Sequence, residues 1–193
     1  MPDGQLVPCL LFVRIATLAQ KATPQTVAAL SVIRKENMSY SFDIKTSVDL
    51  YNELLRRVDE YNKDYMSSGS AVICAILCWH VVEWIYQEYS EQLTEHQTNR
   101  EFQESVKSRC VSLSYMQDIA NGSKHRGITR YKPTVKKTES HNGSFSNDFS
   151  KAFDISCLKM SLENNQVVYF DEEIEKSVNF IKLLLNNELN EKV

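Results

Sequence analysis

Three groups of polar residues in this 193-residue chain are of types that handle protons or phosphates. His80 and Glu83 lie three apart, neighbours on one face of a helix. Asp118 and Asn121 repeat that spacing, and His125 joins their face if a helix continues past Gly122. A basic run over residues 123–138 begins beside His125 and carries Lys124, Arg126, Arg130, Lys132, Lys136 and Lys137 with no acid and with Tyr131 among them. A histidine, a carboxylate, an amide and nearby cations can bind a phosphodiester and move protons along an RNA backbone. Each group also has a plainer reading. A His–Glu pair between Trp79 and Trp84 can be a satisfied core network, Asp118 and Asn121 can bond nearby backbone, and the basic run can be a solvated loop. His96 and His141 read as surface histidines.

These residues need elements to position them, and the chain is organised around residues 70–89, SAVICAILCWHVVEWIYQEY. Its first half carries no charge, so it reads as a core helix, with His80 and Glu83 as polar groups that need partners. Two such residues near the inner end are costly in lipid, so the segment is expected to be soluble core and not a membrane span. Before it, residues 43–65 show helical periodicity through Ile44, Val48, Tyr51, Leu55 and Val58, widened by Leu54 and Tyr61, with Asp43 as the expected N-cap. After a polar stretch, residues 98–121 read as a third helix with a break near 112–114, and Gly122 reads as its C-terminal stop. Residues 140–150, rich in Ser, Asn and Gly, read as a flexible connector.

The period then changes to alternation. FDISCLKM and QVVYF flank residues 162–165 and predict a hairpin. Asp171 is the expected cap of a closing helix whose buried stripe is Ile174, Val178, Ile181 and Leu185. The fold expected is mainly α, a helical bundle with an added C-terminal β-hairpin and closing helix. Residues 1–37 lack convincing patterning, so they are expected to be a poorly structured leader or a mis-assigned start, with residues 38–193 as the single domain.

Composition narrows the function classes. A hydrophobic content of 42% with 24% charged residues suits an ordinary globular domain, and a net charge of −3 leaves polyanion binding to a local patch. Five cysteines, Cys74 and Cys78 four apart and none in a CxxC pair, fit a reducing cytoplasm better than a disulfide framework. No phosphate-binding glycine loop, GxSxG or HExxH occurs, so no cofactor or metal is expected. A metal-dependent hydrolase using His80 and His125 is the weakest of the readings.

CWHVVEWIY at residues 78–86 together with DIANGSKH at residues 118–125 resembles a group of small, mostly uncharacterised bacterial proteins. Those proteins pair a WHxxxW-type helix with an RDIANGSKH-type segment, then a hairpin and a closing helix. The resemblance covers about residues 40–190. The group in turn is similar to the HEPN superfamily of helical bundles, many of whose members are dimeric ribonucleases of toxin–antitoxin and phage-defence systems with an Arg-x(4–6)-His motif. Counting back from His125, the motif arginine falls on Asp118, Ile119 or Ala120, and the arginine preceding the related segment is Gln117 here. The resemblance implies a HEPN-like bundle acting on or binding RNA as a homodimer, with an antitoxin or other protein as a further partner. It implies a metal-independent endoribonuclease with a degenerate motif. His125 would be the acid/base, Asp118 and Asn121 would orient it, Lys124, Arg126, Arg130 and Lys132 would hold the backbone, and His80 and Glu83 would support the site. The alternative is a non-catalytic helical module that binds a protein or nucleic-acid partner, which the departure at Gln117 favours. The first reading requires the His80/Glu83 face to dock against the segment 118–125.

Overall fold

The computed structural model describes residues 41–193, so the expectation for residues 1–37 lies outside the described residues. The elements in order are helices α1 (Ser47–Lys63), α2 (Ser68–Tyr89), α3 (Asn99–Arg109) and α4 (Ser112–His125), strands β1 (Val135–His141), β2 (Cys157–Leu162) and β3 (Val167–Tyr169), and helix α5 (Phe170–Leu183) with a π-helical turn, Leu184–Glu188. The protein is thus mainly helical, with one small antiparallel sheet.

Helix α1 begins at a capping box and not at Asp43. The Thr46 hydroxyl accepts from the Asp49 amide at 3.0 Å, and the Asp49 carboxylate accepts from the Thr46 amide at 3.0 Å. Two backbone donors that the helix cannot use internally are thereby satisfied. The buried face runs through Leu50, Tyr51, Leu54 and Tyr61, while Leu55 is exposed. Glu53 and Glu60 form ion pairs with Arg56 and Arg57 on the solvent side.

Helix α2 is the axis of the bundle. By length and composition it could cross a membrane, yet Cys74, Ala75, Cys78, Val81, Val82 and Ile85 are fully buried by the helices around it. It touches α1, α3, α4 and α5. A buried Val or Ile is worth about 1.5–3 kcal/mol relative to its exposed state, so this helix carries a large share of the core energy. Tyr61 of α1 packs edge-on against Phe170 of α5 at 5.2 Å, closing the bundle on its other side.

Helices α3 and α4 are separate, with the break at Cys110 and Val111, a little before the expected position. The end of α4 differs more. The chain passes through Gly122 without stopping, reaches His125, and ends at Arg126 in the left-handed region, φ 55°. Glycine inside a helix costs about 1 kcal/mol relative to alanine. Here that cost is offset by a tertiary tie from Asp118, described below.

The hairpin forms where expected, β2 pairing β3 with Met160 opposite Val168. Its inner face, Leu158, Met160 and Leu162, is buried against the helices. The closing helix begins at Phe170, one residue before Asp171, and no side chain caps it. Asp171 instead pairs with Lys151 at 3.1 Å. Its stripe of Ile174, Val178, Ile181 and Leu185 is buried as the periodicity predicts.

Two corrections concern residues 135–156. A third strand, β1, pairs antiparallel with β2 and forms an edge of the sheet, order β1-β2-β3, with a bulge between Val135 and Lys137. The segment after it is tied down instead of loose. His141 Nε2 lies 2.6 Å from Asp154, whose second oxygen accepts from the Ser144 amide at 3.2 Å. Gly143 passes so close to the Asp154 and Ile155 backbone that a Cβ there would stand 2.3 Å from both. Phe145, Phe149 and Phe153 pack against one another at tilted and edge-on angles and stay half exposed.

At Gly122 a Cβ would meet nothing within 4 Å. Gly122→Ala is therefore expected to stabilise the fold by about 0.5–1 kcal/mol, read from urea denaturation. A drop in stability would mean that α4 ends at residue 122 as the sequence suggested.

Candidate nucleic-acid interface

Continuation of α4 to its last turn stacks Asp118, Asn121 and His125 along one face, at spacings of three and seven. The three residues nevertheless do different work. Asp118 is buried, and both of its oxygens are occupied. Oδ1 accepts from the Tyr131 hydroxyl at 2.8 Å, and Oδ2 accepts from the Thr134 amide at 2.7 Å and the Val135 amide at 2.9 Å. Burial pushes its pKa above the ordinary aspartate value, while these donors and the Lys107 charge pull it back. Asn121 donates to the Tyr131 hydroxyl at 3.2 Å. Tyr131 is pushed up to about 12, by burial first, so it remains a hydroxyl that can donate to Asp118. Asp118 and Asn121 thus fasten the returning chain to α4, and neither touches His125 in a hydrogen bond.

This fastening sets what the loop presents. Lys124, His125, Arg126 and Arg130 are exposed, and no ion pair engages them among the described residues. Lys132 is exposed too and pairs with Glu163 at 3.0 Å. Lys124 complements the negative end of the helix dipole, which is reason enough for a cation there. Arg126, the C-cap, shares that field, but its backbone conformation is not explained by it. An L-residue in the left-handed region costs roughly 1–2 kcal/mol, and glycine is the ordinary occupant of that position.

Beside the loop runs an open groove of about 440 Å³, lined by Ile119, Gly122, Ile128, Pro133, Val135 and Lys136 among others. Its floor is mainly apolar, and β1 supplies one wall. A smaller space of about 150 Å³ shares Val72, Ile119 and Thr138 with it and extends to Leu158 and Met160.

His80 is not part of this arrangement, and the docking expected of it does not occur. It faces solvent on the stripe of α2 that also exposes Ile73 and Gln87, seven residues away on each side. The buried arc of α2 lies opposite, so the helix is less completely enclosed than its charge-free run implied. Glu83 is half buried and accepts from Trp79 Nε1 within the helix at 3.1 Å. Gln117 accepts from Lys107 Nζ at 3.1 Å, and Lys107 also pairs with Glu104. A cation therefore does approach that position, from α3. Among the described residues, no three His, Cys, Asp or Glu side chains are grouped to hold a metal ion.

No family model, curated protein or solved structure matches the chain. The site stands on its geometry alone.

Tyr131 is the residue whose role the sequence did not disclose; its place thirteen residues beyond Asp118 carried no periodic signal. Replacing Asp118 with alanine leaves two backbone amides and a hydroxyl without their acceptor. A destabilisation of about 1–3 kcal/mol is expected by urea denaturation, together with faster hydrogen exchange at Thr134 and Val135. Unchanged exchange at those two amides would remove the tie.

Proposed function

We propose that the protein binds RNA through the cationic end of α4 and the loop that follows it. The observation that carries this reading is the division of labour at Asp118. Its carboxylate is spent on Tyr131, Thr134 and Val135, and the loop so held leaves Lys124, His125, Arg126 and Arg130 facing solvent without ion-pair partners among the described residues. Phosphodiesters are the ligands that a small cluster of unpaired cations on a chain of net charge −3 suits best. Arg126 supports this further, since a charged side chain occupies a backbone position that stability alone would give to glycine. Exposed Tyr131, among these cations, offers a ring face for a base.

A second reading, a metal-independent endoribonuclease of the toxin or defence kind, is favoured by the placement of His125 on the same helical face as Asp118 and Asn121. Under that reading His125 transfers the proton and Lys107 or Arg126 supplies the charge missing at Gln117. Binding is preferred because Asp118 is already engaged, so among the described residues His125 has no carboxylate hydrogen-bonded to it to set its tautomer. The non-catalytic module is thus the preferred form of the function, with the HEPN-like bundle as its fold. A cytoplasmic location suits the free thiols of Cys74, Cys78, Cys110 and Cys157.

Fluorescence anisotropy on a labelled single-stranded RNA tests the reading. Removing one cation that neutralises a phosphate lowers the slope of log affinity against log salt by about 0.7. The triple change of Lys124, Arg126 and Arg130 to alanine is expected to reduce the slope by about 2 on the same scale. Arg126→Gly alone should weaken binding while raising thermal stability, by about 1 kcal/mol for the relieved backbone. No RNA affinity in the unaltered chain would overturn the proposal. Cleavage of total RNA that His125→Ala abolishes would replace it with the nuclease reading.

A further inference from the structure

Among the described residues, strand β1 has β2 on one side and no strand on the other. Among the described residues, no backbone hydrogen bond from a helix or loop reaches the outer edge of residues 137–140. A free edge of this kind is a template for another strand. Sheets manage the hazard with bulges and lysines, and β1 carries both, at Val135/Lys137 and at Lys136 and Lys137. Those features discourage indiscriminate pairing. They do not oppose every partner, because the strand also carries Glu139, two residues beyond Lys137 on the same face.

The order Lys137-Thr138-Glu139 is complementary to itself when read backwards. We propose that two copies of this chain associate edge to edge through β1, antiparallel, with the two-fold axis at Thr138. In that register Lys137 of each copy lies opposite Glu139 of the other, twice over. Sliding the strands by two residues in either direction places Lys137 opposite Lys137, or Glu139 opposite Glu139, so like charges meet. A slide by one residue turns each outer side chain toward the helices. Only the register centred on Thr138 therefore satisfies the charges.

The existing sheet extends the pattern. Glu139 is already opposite Lys159 of β2, and Lys137 is opposite Ser161. Joining two copies would set each Glu139 between its own Lys159 and the second copy's Lys137, an alternating row across the joined sheet. Within one copy, Lys137 Nζ reaches Glu139 along the strand at 2.5 Å, so these two side chains already lie together on the outer face. Antiparallel pairing also brings the end of β1 that leads to the half-exposed Phe145, Phe149 and Phe153 alongside the end of the second strand that follows the loop carrying Arg130 and Tyr131. Aromatic rings beside guanidinium and phenol groups make a favourable flank to the strand pair. This inference does not depend on RNA binding.

Charge reversal tests the register. Sedimentation equilibrium on the full chain is expected to show a dimer. Lys137→Glu alone and Glu139→Lys alone each bring like charges together twice and should each weaken the dimer about tenfold or more. An equimolar mixture of the two variants restores both opposite-charge contacts, and it should recover a dimer containing one copy of each. Recovery on mixing cannot come from repairing either variant's own fold. A monomeric unaltered chain, or variants that do not recover on mixing, would overturn the proposal.

Discussion

Everything distinctive about the candidate site depends on one buried carboxylate. Asp118 is placed where little water can reach it, a circumstance that costs several kcal/mol unless donors replace the water. Three donors do so, and all three come from the chain that returns toward the sheet, thirteen to seventeen residues later. The same contacts make the last turn of α4, the shape of the loop and the start of β1 a single unit. The chain between Tyr131 and Val135 is held in place, and there Lys132 reaches Glu163, while Arg126 and Arg130 before it face solvent.

The bundle beneath is governed by α2. Its apolar run is long enough that a strictly one-sided helix would be hard to infer, and the helices packed on it bury one broad arc. What they leave open is the stripe of Ile73, His80 and Gln87. Polar residues flanked by tryptophans are thus compatible with a solvent-facing seam, even in the most hydrophobic segment of the chain.

How much was legible in the sequence varied with the range of the forces involved. Helical stripes and the β2–β3 hairpin are written in local periodicity, and Ile174, Val178, Ile181 and Leu185 lie buried as their spacing implies. Strand β1 was hidden because Lys136, Lys137, Thr138, Glu139 and Ser140 present no apolar face; β2 supplies the burial that holds the sheet to the helices. Gly122 misled for a related reason. A strong local stop signal was outweighed by a tie that forms only when distant residues meet. The cationic character of residues 124–132 could be read directly, but the structural employment of Asp118 and Asn121 could not, since their partner Tyr131 bears no spacing relation to them.

The segment after β1 has a composition that suggests slack, yet Gly143 sits where the Asp154 and Ile155 backbone leaves no room for a side chain. With Asp154 gripping His141 and Ser144, this stretch behaves as a clasp. Its tolerance to evolutionary drift should therefore be low. Insertions and length changes among relatives of this chain belong in the polar segment between α2 and α3, not here, and sequence alignment through residues 141–156 should proceed without gaps.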